Sequence, residues 1–264
     1  MKKLVVIKLG GSALTDKSRA YTARPATIQR IAREIAVAKR KTDLVIIHGA
    51  GSFGHIPVKH YGLQNGFQNP RQLFGLASTK LKLLEWEGIL DTIFLQHGVN
   101  IVPFFASDLA ELKAGRINRA DINALRRWLA LGCVPIIGGD IVPDIKRGFS
   151  ILSGDQLAAY LAITLKAARL VFGIDVDGIF DSDPKMNRNA KLLTELDPTT
   201  ARQYAARVTV GEVPDVTGGM AGKISESIVA AKQGVTTYFV NLNKRDRLKR
   251  AALGQTVLGS RLRA

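Results

Sequence analysis

The sequence contains a single cysteine, Cys133, among 264 residues, so no disulfide can form within the chain. We expect Cys133 to be a buried structural thiol, as in proteins of the reducing cytoplasm. Long apolar runs are also missing, since none approaches the roughly 18 residues that a transmembrane helix requires. Lys8 interrupts the apolar start of the chain after residues 4–7, which argues against a signal peptide. The sequence therefore predicts a cytoplasmic protein without a membrane partner.

Acidic residues are scarce as well, with 22 Asp and Glu against 38 Lys and Arg and a formal charge of +16. An excess of this size attracts anions of several classes, namely nucleotides, phosphorylated metabolites, nucleic acids and acidic membranes. The densest basic cluster, residues 244–250, contains Asp246 and is more typical of the solvated face of a C-terminal helix. No motif that reads RNA or DNA is present. We therefore expect small anionic ligands and no nucleic-acid partner.

The distribution of apolar residues predicts an α/β fold. Short runs rich in β-branched residues, bounded by Gly, Pro or Asn, are typical of buried parallel strands. These runs are residues 4–7, 44–47, 100–103, 134–137, 170–174 and 236–240. Helical spacing occurs between them in residues 27–40, 76–96, 121–131, 155–165 and 223–233. Asp121 and Asp155 are candidate N-caps, and residues 109–117 and 141–151 are candidate hairpins. The alternation predicts one domain, residues 1–264, with a mostly parallel sheet between helical layers and ligands beyond the carboxyl ends of its strands.

The first glycine segment, Lys8-Leu-Gly-Gly-Ser12, follows the first predicted strand. Two glycines allow the backbone to approach a phosphate closely and to donate N–H groups to its oxygens. Lys8 would add a positive charge at the strand end. A simple glycine turn beside a surface lysine is the alternative interpretation.

The second glycine segment lies in residues 48–55 and matches the spacing Gly49-x-Gly51-x-x-Gly54 of a dinucleotide-binding loop. That motif also requires an acidic residue about twenty positions later to hold the ribose. No Asp or Glu occurs between His55 and Glu85, which argues against NAD. The segment still predicts an anion-binding loop that ends in a histidine, although a structural role for His55 is the alternative.

Further glycine segments occur at Gly139-Asp140, at 153–155 (Ser-Gly-Asp), at 175–178 (Asp-Val-Asp-Gly) and at 215–223. Paired aspartates are typical of a metal site or a general acid–base pair. The spacing in residues 175–178 instead places Asp175 and Asp177 on the same side of an extended loop, suited equally to hydroxyl or adenine contacts. An EF-hand is excluded because the calcium-loop pattern is absent. Residues 215–223 do not have the Walker A spacing.

Taken in order, the motifs K-L-G-G-S, G-D, S-G-D, D-V-D-G and D-V-T-G-G-M-x-x-K resemble those of the amino acid kinase family. The resemblance spans residues 8–223 and implies a three-layer αβα sandwich with a mostly parallel central sheet. Gly51–His55, G-S-F-G-H, is similar to the signature of members that phosphorylate isopentenyl phosphate. Fosfomycin kinases carry a similar G-x-F-G-H loop, so another small phosphate or phosphonate is an alternative acceptor. A basic nucleic-acid-binding protein on the same fold is a distant alternative.

The resemblance implies roles for individual residues. The expected catalytic residues are Lys8, Lys17, His55 and Lys223. The three lysines would contact the transferred phosphoryl group, and His55 would hydrogen-bond the acceptor phosphate. Those expected to bind the nucleotide are Lys8, Gly10, Gly11, Ser12, Ala50, Asp175, Gly219 and Lys223. Those expected to bind the acceptor are Gly49, Gly54, His55, Ser153 and Gly154. Ala50 replaces a frequent glycine, and residues 102–108 depart from the expected pattern near the acceptor.

The resemblance also implies ATP as the phosphoryl donor, Mg²⁺ carried by the nucleotide without a dedicated protein cage, and a homodimer. Acceptor binding is expected in residues 1–165 and nucleotide binding in residues 166–264. An acceptor tail would require an apolar pocket. Its candidates by location, which we expect to be core residues instead, are Leu73, Phe74, Leu76, Leu81, Leu83, Leu84 and Ile89.

Overall fold

The computed structural model describes residues 2–16, 19–184, 186–208 and 219–264, without the side chains of 206–208. Strands occupy Lys3–Leu9 (β1), Thr42–His48 (β2), Ile101–Phe104 (β3), Ala110–Lys113 (β4), Arg116–Ala120 (β5), Val134–Gly138 (β6), Asp140–Asp144 (β7), Gly148–Leu152 (β8), Arg169–Ile174 (β9), Glu195–Leu196 (β10), Thr236–Asn241 (β11) and Ser260–Leu262 (β12). Helices occupy Gly11–Leu14 (α1), Pro25–Lys39 (α2), Gly51–His60 (α3), Arg71–Gln96 (α4), Ala106–Leu109 (α5), Asn123–Ala130 (α6), Gly154–Thr164 (α7), Pro198–Val208 (α8), Gly219–Lys232 (α9) and Arg247–Leu253 (α10).

The main sheet has the strand order β10-β12-β11-β9-β1-β2-β6-β3. Its members from β11 to β3 are parallel to one another, whereas β12 is antiparallel to β11. A smaller sheet, β5-β4-β7-β8, contains the two predicted hairpins. The α/β class with a mostly parallel sheet is therefore confirmed.

Both faces of the main sheet are buried, which makes the fold a three-layer sandwich. In β1, Val5 and Ile7 pack in one core with Ile31 of α2 and Trp86 of α4. Val6 packs in the other core, with Leu157 of α7. Alternate residues of a strand point to opposite faces, so an uninterrupted apolar run is required where helices cover both. Lys8 is two residues after Val6, so its side chain points to the same face of the sheet, toward the layer that holds α7.

Most predicted elements are present, with differences at their ends. Asp155 was expected to cap a helix, and this is wrong: the Ser153 side chain caps α7 by accepting a hydrogen bond from the Gln156 N–H at 3.1 Å. Asp121 accepts from the Asn123 N–H, but Ile122 occupies the N-cap of α6. Cys133 is partly exposed rather than buried. Within the described ranges, no helix combines the length and apolar character needed to cross a bilayer.

Candidate active site

A cavity of about 1110 Å³ lies beyond the carboxyl ends of β1, β2 and β9. The structure brings the predicted site residues of the described ranges together in its wall. They are Lys8, Gly10, Gly11, Ser12, Gly49, Ala50, Gly54, His55, Ser153, Gly154, Asp175, Gly219 and Lys223. Lys17 and residues 215–218 of the last motif lie outside the described residues. The individual roles of these residues remain predictions.

Asp155 holds two lysines at the centre of this cavity. Its carboxylate lies 2.7 Å from Nζ of Lys8 and 3.2 Å from Nζ of Lys223. Burial would raise the pKa of the Asp155 carboxyl, but the charges of Lys8 and Lys223 outweigh burial and hold that pKa below its usual value. The carboxylate therefore stays ionised and fixes two ammonium groups from different elements at one point. Sequence reasoning treated Asp155 only as a cap, because the lysines that it joins are distant in the chain.

The two glycine loops touch backbone to backbone. A Cβ atom added to Gly11 would lie 2.5 Å from the Gly51 nitrogen, and one added to Gly49 would lie 2.8 Å from the Gly11 nitrogen. Thr15 joins the loops further, since its Oγ1 donates to the Gly11 carbonyl at 2.9 Å and accepts from the Ser52 N–H at 3.1 Å. Only glycine fits at such a contact, so the loops form one continuous backbone surface facing the cavity.

Helices α3, α7 and α9 begin at Gly51, Gly154 and Gly219, and all three glycines line the cavity. The first N–H groups of a helix have no intrahelical acceptor, and the helix dipole makes this end positive. Converging helix N-termini are therefore suited to phosphate oxygens. His55 lies one turn into α3 and lines the cavity from the same side.

Part of the cavity wall is apolar, and we call this part the apolar branch. Ile56, Leu83, Ile141 and Ile151 line it, and Val58 joins the small core that packs α3 against the second sheet. Among the candidates for a tail pocket, only Leu83 lines the cavity in the described structure. The expectation that the others are core residues is wrong for several of them. Those with large exposed fractions are Leu73 (53%), Phe74 (73%), Leu81 (61%) and Leu84 (46%).

Asp175 and Asp177 have different surroundings, contrary to the expectation that both face a ligand. Asp175 lines the cavity. Asp177 accepts hydrogen bonds from Asn241 at 2.7 Å and Arg247 at 2.8 Å. Burial would raise the pKa of Asp177, but these bonds and the Arg247 charge lower it overall. Asp177 therefore ties the loop after β9 to the junction of β11 and α10.

Two polar side chains that the sequence did not reveal, His48 and Glu87, lie close to residues 49–55, which we call the second glycine loop. Burial lowers the pKa of His48 to about 4, so its ring is neutral at pH 7. Burial, reinforced by the charges of Asp140 and Asp91, raises the pKa of Glu87 to about 8. The His48 ring and the Glu87 carboxyl both lie against Gly138, where an added Cβ would meet each at 2.7 Å.

Lysines held by a buried carboxylate, glycine loops and converging helix N-termini define a phosphate-binding α/β protein. Within the described residues, no group of three or more His, Cys, Asp or Glu side chains is placed to hold a metal ion. Residues 3–241 match the amino acid kinase family, and the chain belongs to that family.

Two relatives and one solved structure indicate which branch of the family this chain is similar to. The chain is 35% identical to an isopentenyl phosphate kinase of Methanothermobacter thermautotrophicus, over 98% of each chain. It is 34% identical to an isopentenyl phosphate kinase of Thermoplasma acidophilum, over 93% of this chain and 94% of the relative. A solved isopentenyl phosphate kinase structure superposes with a TM-score of 0.85 at 33% identity and covers 98% of this chain and 99% of its own. The family and the branch suggested by the sequence motifs are thus confirmed.

Proposed function

We propose that this protein is a phosphotransferase that moves the γ-phosphoryl group of ATP onto isopentenyl phosphate, giving isopentenyl diphosphate and ADP. The observation that carries the proposal is a cavity in which the buried carboxylate of Asp155 holds Lys8 and Lys223, and whose wall also includes His55 and apolar side chains. The lysines and glycine loops suit two phosphate groups, and the apolar branch suits a short hydrocarbon tail. Relatives named for this activity support the same acceptor.

The reaction needs charge stabilisation more than a base. The second pKa of a phosphate monoester is about 6, so the attacking oxygen is already largely ionised at pH 7. That oxygen bonds to the γ-phosphorus while the bond from phosphorus to the β,γ-bridging oxygen breaks, and ADP leaves with the electron pair. Negative charge spreads over the equatorial oxygens in the transition state. Lys8 and Lys223, held by Asp155, would neutralise that charge, and the loop N–H groups would orient the transferred phosphoryl group.

His55 would bind the acceptor phosphate. It lies on α3, between the glycine loop and the apolar branch lined by Ile56 and Leu83. An imidazole N–H there can donate to a phosphate oxygen while the tail extends into the apolar branch. The role is positional, because the acceptor has no proton that must be removed.

The nucleotide would occupy the side of the cavity formed by the loop after β9, including Asp175, and by Gly219 of α9. We assign acceptor binding mainly to residues 1–165 and nucleotide binding mainly to residues 166–264. Mg²⁺, when bound to the nucleotide phosphates, supplies further neutralisation of their charge. Asp175 and Asp181 line this side of the cavity, and their carboxylates fit the water shell of such an ion.

We also propose a homodimer in the cytoplasm. Leu81, Leu84 and Leu95 of α4 are exposed, and β3 forms the end of the main sheet beside the helix. An apolar helix face next to an open sheet edge is the kind of surface that a second copy would cover. ATP supply and the single thiol are consistent with the cytoplasm. Sedimentation of a Leu81→Lys variant as a monomer would support the dimer surface.

The function is tested by product identification with a panel of acceptors: isopentenyl phosphate, dimethylallyl phosphate, longer prenyl phosphates and fosfomycin. We expect isopentenyl diphosphate to form with the highest kcat/KM. His55→Ala should lower that kcat/KM by about 10²–10³-fold while ATP still binds. His60→Ala, at the exposed end of the same helix, is the matched control and should leave the rate unchanged. Absence of turnover with isopentenyl phosphate, or near-normal turnover of His55→Ala, contradicts the proposal.

A further inference from the structure

The second glycine loop, residues 49–55, is held in place by Trp86. This side chain is fully buried on α4, and its indole Nε1–H donates a hydrogen bond to the Gly49 carbonyl at 3.0 Å. The indole also stacks on Phe53 of the same loop, with ring centroids 5.3 Å apart and 22° between the planes. Trp86 does not belong to the described wall of the cavity. An effect of Trp86 on a ligand is therefore indirect, and Gly49, which lines the cavity, is the residue to which its indole is hydrogen-bonded.

The hydrogen bond fixes the direction of one backbone amide. In a trans peptide the C=O and N–H groups point in opposite directions. Holding the Gly49 carbonyl against Trp86 therefore turns the Ala50 N–H away from Trp86, and Ala50 itself lines the cavity. In the described part of the chain, the Ala50 N–H has no backbone acceptor. This N–H is thus available to a ligand oxygen.

The same peptide contacts the other glycine loop. A Cβ atom on Gly11 would lie 3.3 Å from the carbonyl carbon of Gly49. Tilting the Gly49 peptide would therefore disturb the contact between both loops. Leu83, one turn before Trp86 on α4, lines the apolar branch. Helix α4 thus positions both the Gly49–Ala50 peptide, which would contact phosphate, and Leu83, which would contact the hydrocarbon tail of the acceptor.

We propose that Trp86 is a positioning residue for phosphoryl transfer, an inference that rests on the proposed function. Its indole N–H orients the Gly49–Ala50 peptide so that the Ala50 N–H donates to a phosphate oxygen at the junction of the two substrates. The stacking on Phe53 holds the loop in a fixed position against α4. Trp86 touches neither substrate itself.

Trp86→Phe tests this role, because phenylalanine retains a ring that can stack on Phe53 but lacks the N–H donor. The smaller ring also leaves a cavity at this fully buried position, and the melting temperature reports its cost. We expect kcat/KM for isopentenyl phosphate to fall about tenfold, with part of the loss in kcat. The KM for ATP should stay within about twofold of the parent value, because the lysines and the nucleotide side are unchanged. Trp128→Phe is the matched control, since Trp128 is 41% exposed on α6, and it should match the parent. If the role of Trp86 is purely structural, Trp86→Phe should lower the melting temperature without affecting the kinetics for isopentenyl phosphate more than the KM for ATP.

Equal kcat and KM values for Trp86→Phe and the parent would overturn the proposal, as would an equal loss toward both substrates. If Trp86→Phe does not fold, Trp128→Phe leaves Trp86 as the sole indole. The fluorescence emission of Trp86 should then change when isopentenyl phosphate is titrated in. An unchanged emission spectrum at saturation overturns the proposal. Failure of the parent to phosphorylate isopentenyl phosphate refutes the function instead. If the parent phosphorylates isopentenyl phosphate and Trp86→Phe is equally active, only the role proposed for Trp86 is refuted.

Discussion

Replacing Asp155 by Asn should destabilise the protein strongly. The change keeps the shape of the side chain but removes the negative charge that lies between Lys8 and Lys223, whose Nζ atoms are 2.7 and 3.2 Å from the carboxylate. The carboxylate side chain is only 3% exposed, so it is largely removed from bulk water. Breaking a buried ion pair by removing one partner costs about 3–5 kcal/mol. For a chain of this size that corresponds to a fall in melting temperature of about 6–20 °C.

Urea denaturation at pH 7 measures the free energy of unfolding directly. Glu111→Gln is the control, because Glu111 forms an exposed pair with Arg119, whose side chain is 76% exposed. A pair of that kind contributes about 0–1 kcal/mol. ATP should stabilise Asp155→Asn more than the parent, since its phosphate oxygens supply negative charge to the same two lysines.

The difference between parent and variant should also depend on pH. The pKa of Asp155 is lower in the folded protein than in the unfolded chain. Its contribution to stability is therefore complete above the unfolded value of about 4 and is lost as the pH falls toward the folded value. The gap between parent and Asp155→Asn should narrow in acid. A variant within about 1 kcal/mol of the parent at pH 7, or a gap that acid leaves unchanged, refutes the reasoning.

Two further variants test the surroundings of the site. Glu87→Gln should be more stable than the parent near pH 8 and similar at pH 5, because the folded pKa of Glu87, about 8, exceeds its ordinary value of 4.5 and the parent loses stability as the pH rises between them. Thermal melts from pH 5 to pH 9 measure this difference, and a constant offset contradicts it. Asp177→Asn, which weakens the attachment to Arg247, should raise the KM for ATP about 3- to 10-fold and leave the acceptor KM unchanged. Equal changes in both KM values would show that Asp177 does not act on the nucleotide side.

The main sheet could be predicted because its strands are defined by local sequence. Val5, Val6 and Ile7 are apolar on both faces, and only a strand covered on both sides requires that pattern. The glycine segments were equally informative, since each stands at a strand end or a helix start. For the same reason the predicted site residues of the described ranges gather at one edge of the sheet.

What could not be predicted depends on pairs far apart in the chain. Asp155 looks like a helix cap until the fold places α7 over the face of β1 from which Lys8 projects. Trp86 looks like one apolar residue of a long helix, and nothing near it in sequence indicates a bond to Gly49. Leu81 and Leu84 were misjudged for a related reason: helical periodicity shows which residues share a face, but not what covers that face.

The balance of charge in the cavity explains why one carboxylate accompanies two lysines. Without Asp155, the ammonium groups of Lys8 and Lys223 would repel each other in a site that water scarcely reaches. With a second carboxylate, the net charge would vanish and the phosphates of ATP and the acceptor would meet no attraction. One carboxylate leaves a net positive centre that is stable when empty and still favours two phosphates that repel each other. The transition state places its extra charge at this centre, so the arrangement that stabilises the fold also supplies the electrostatic part of catalysis.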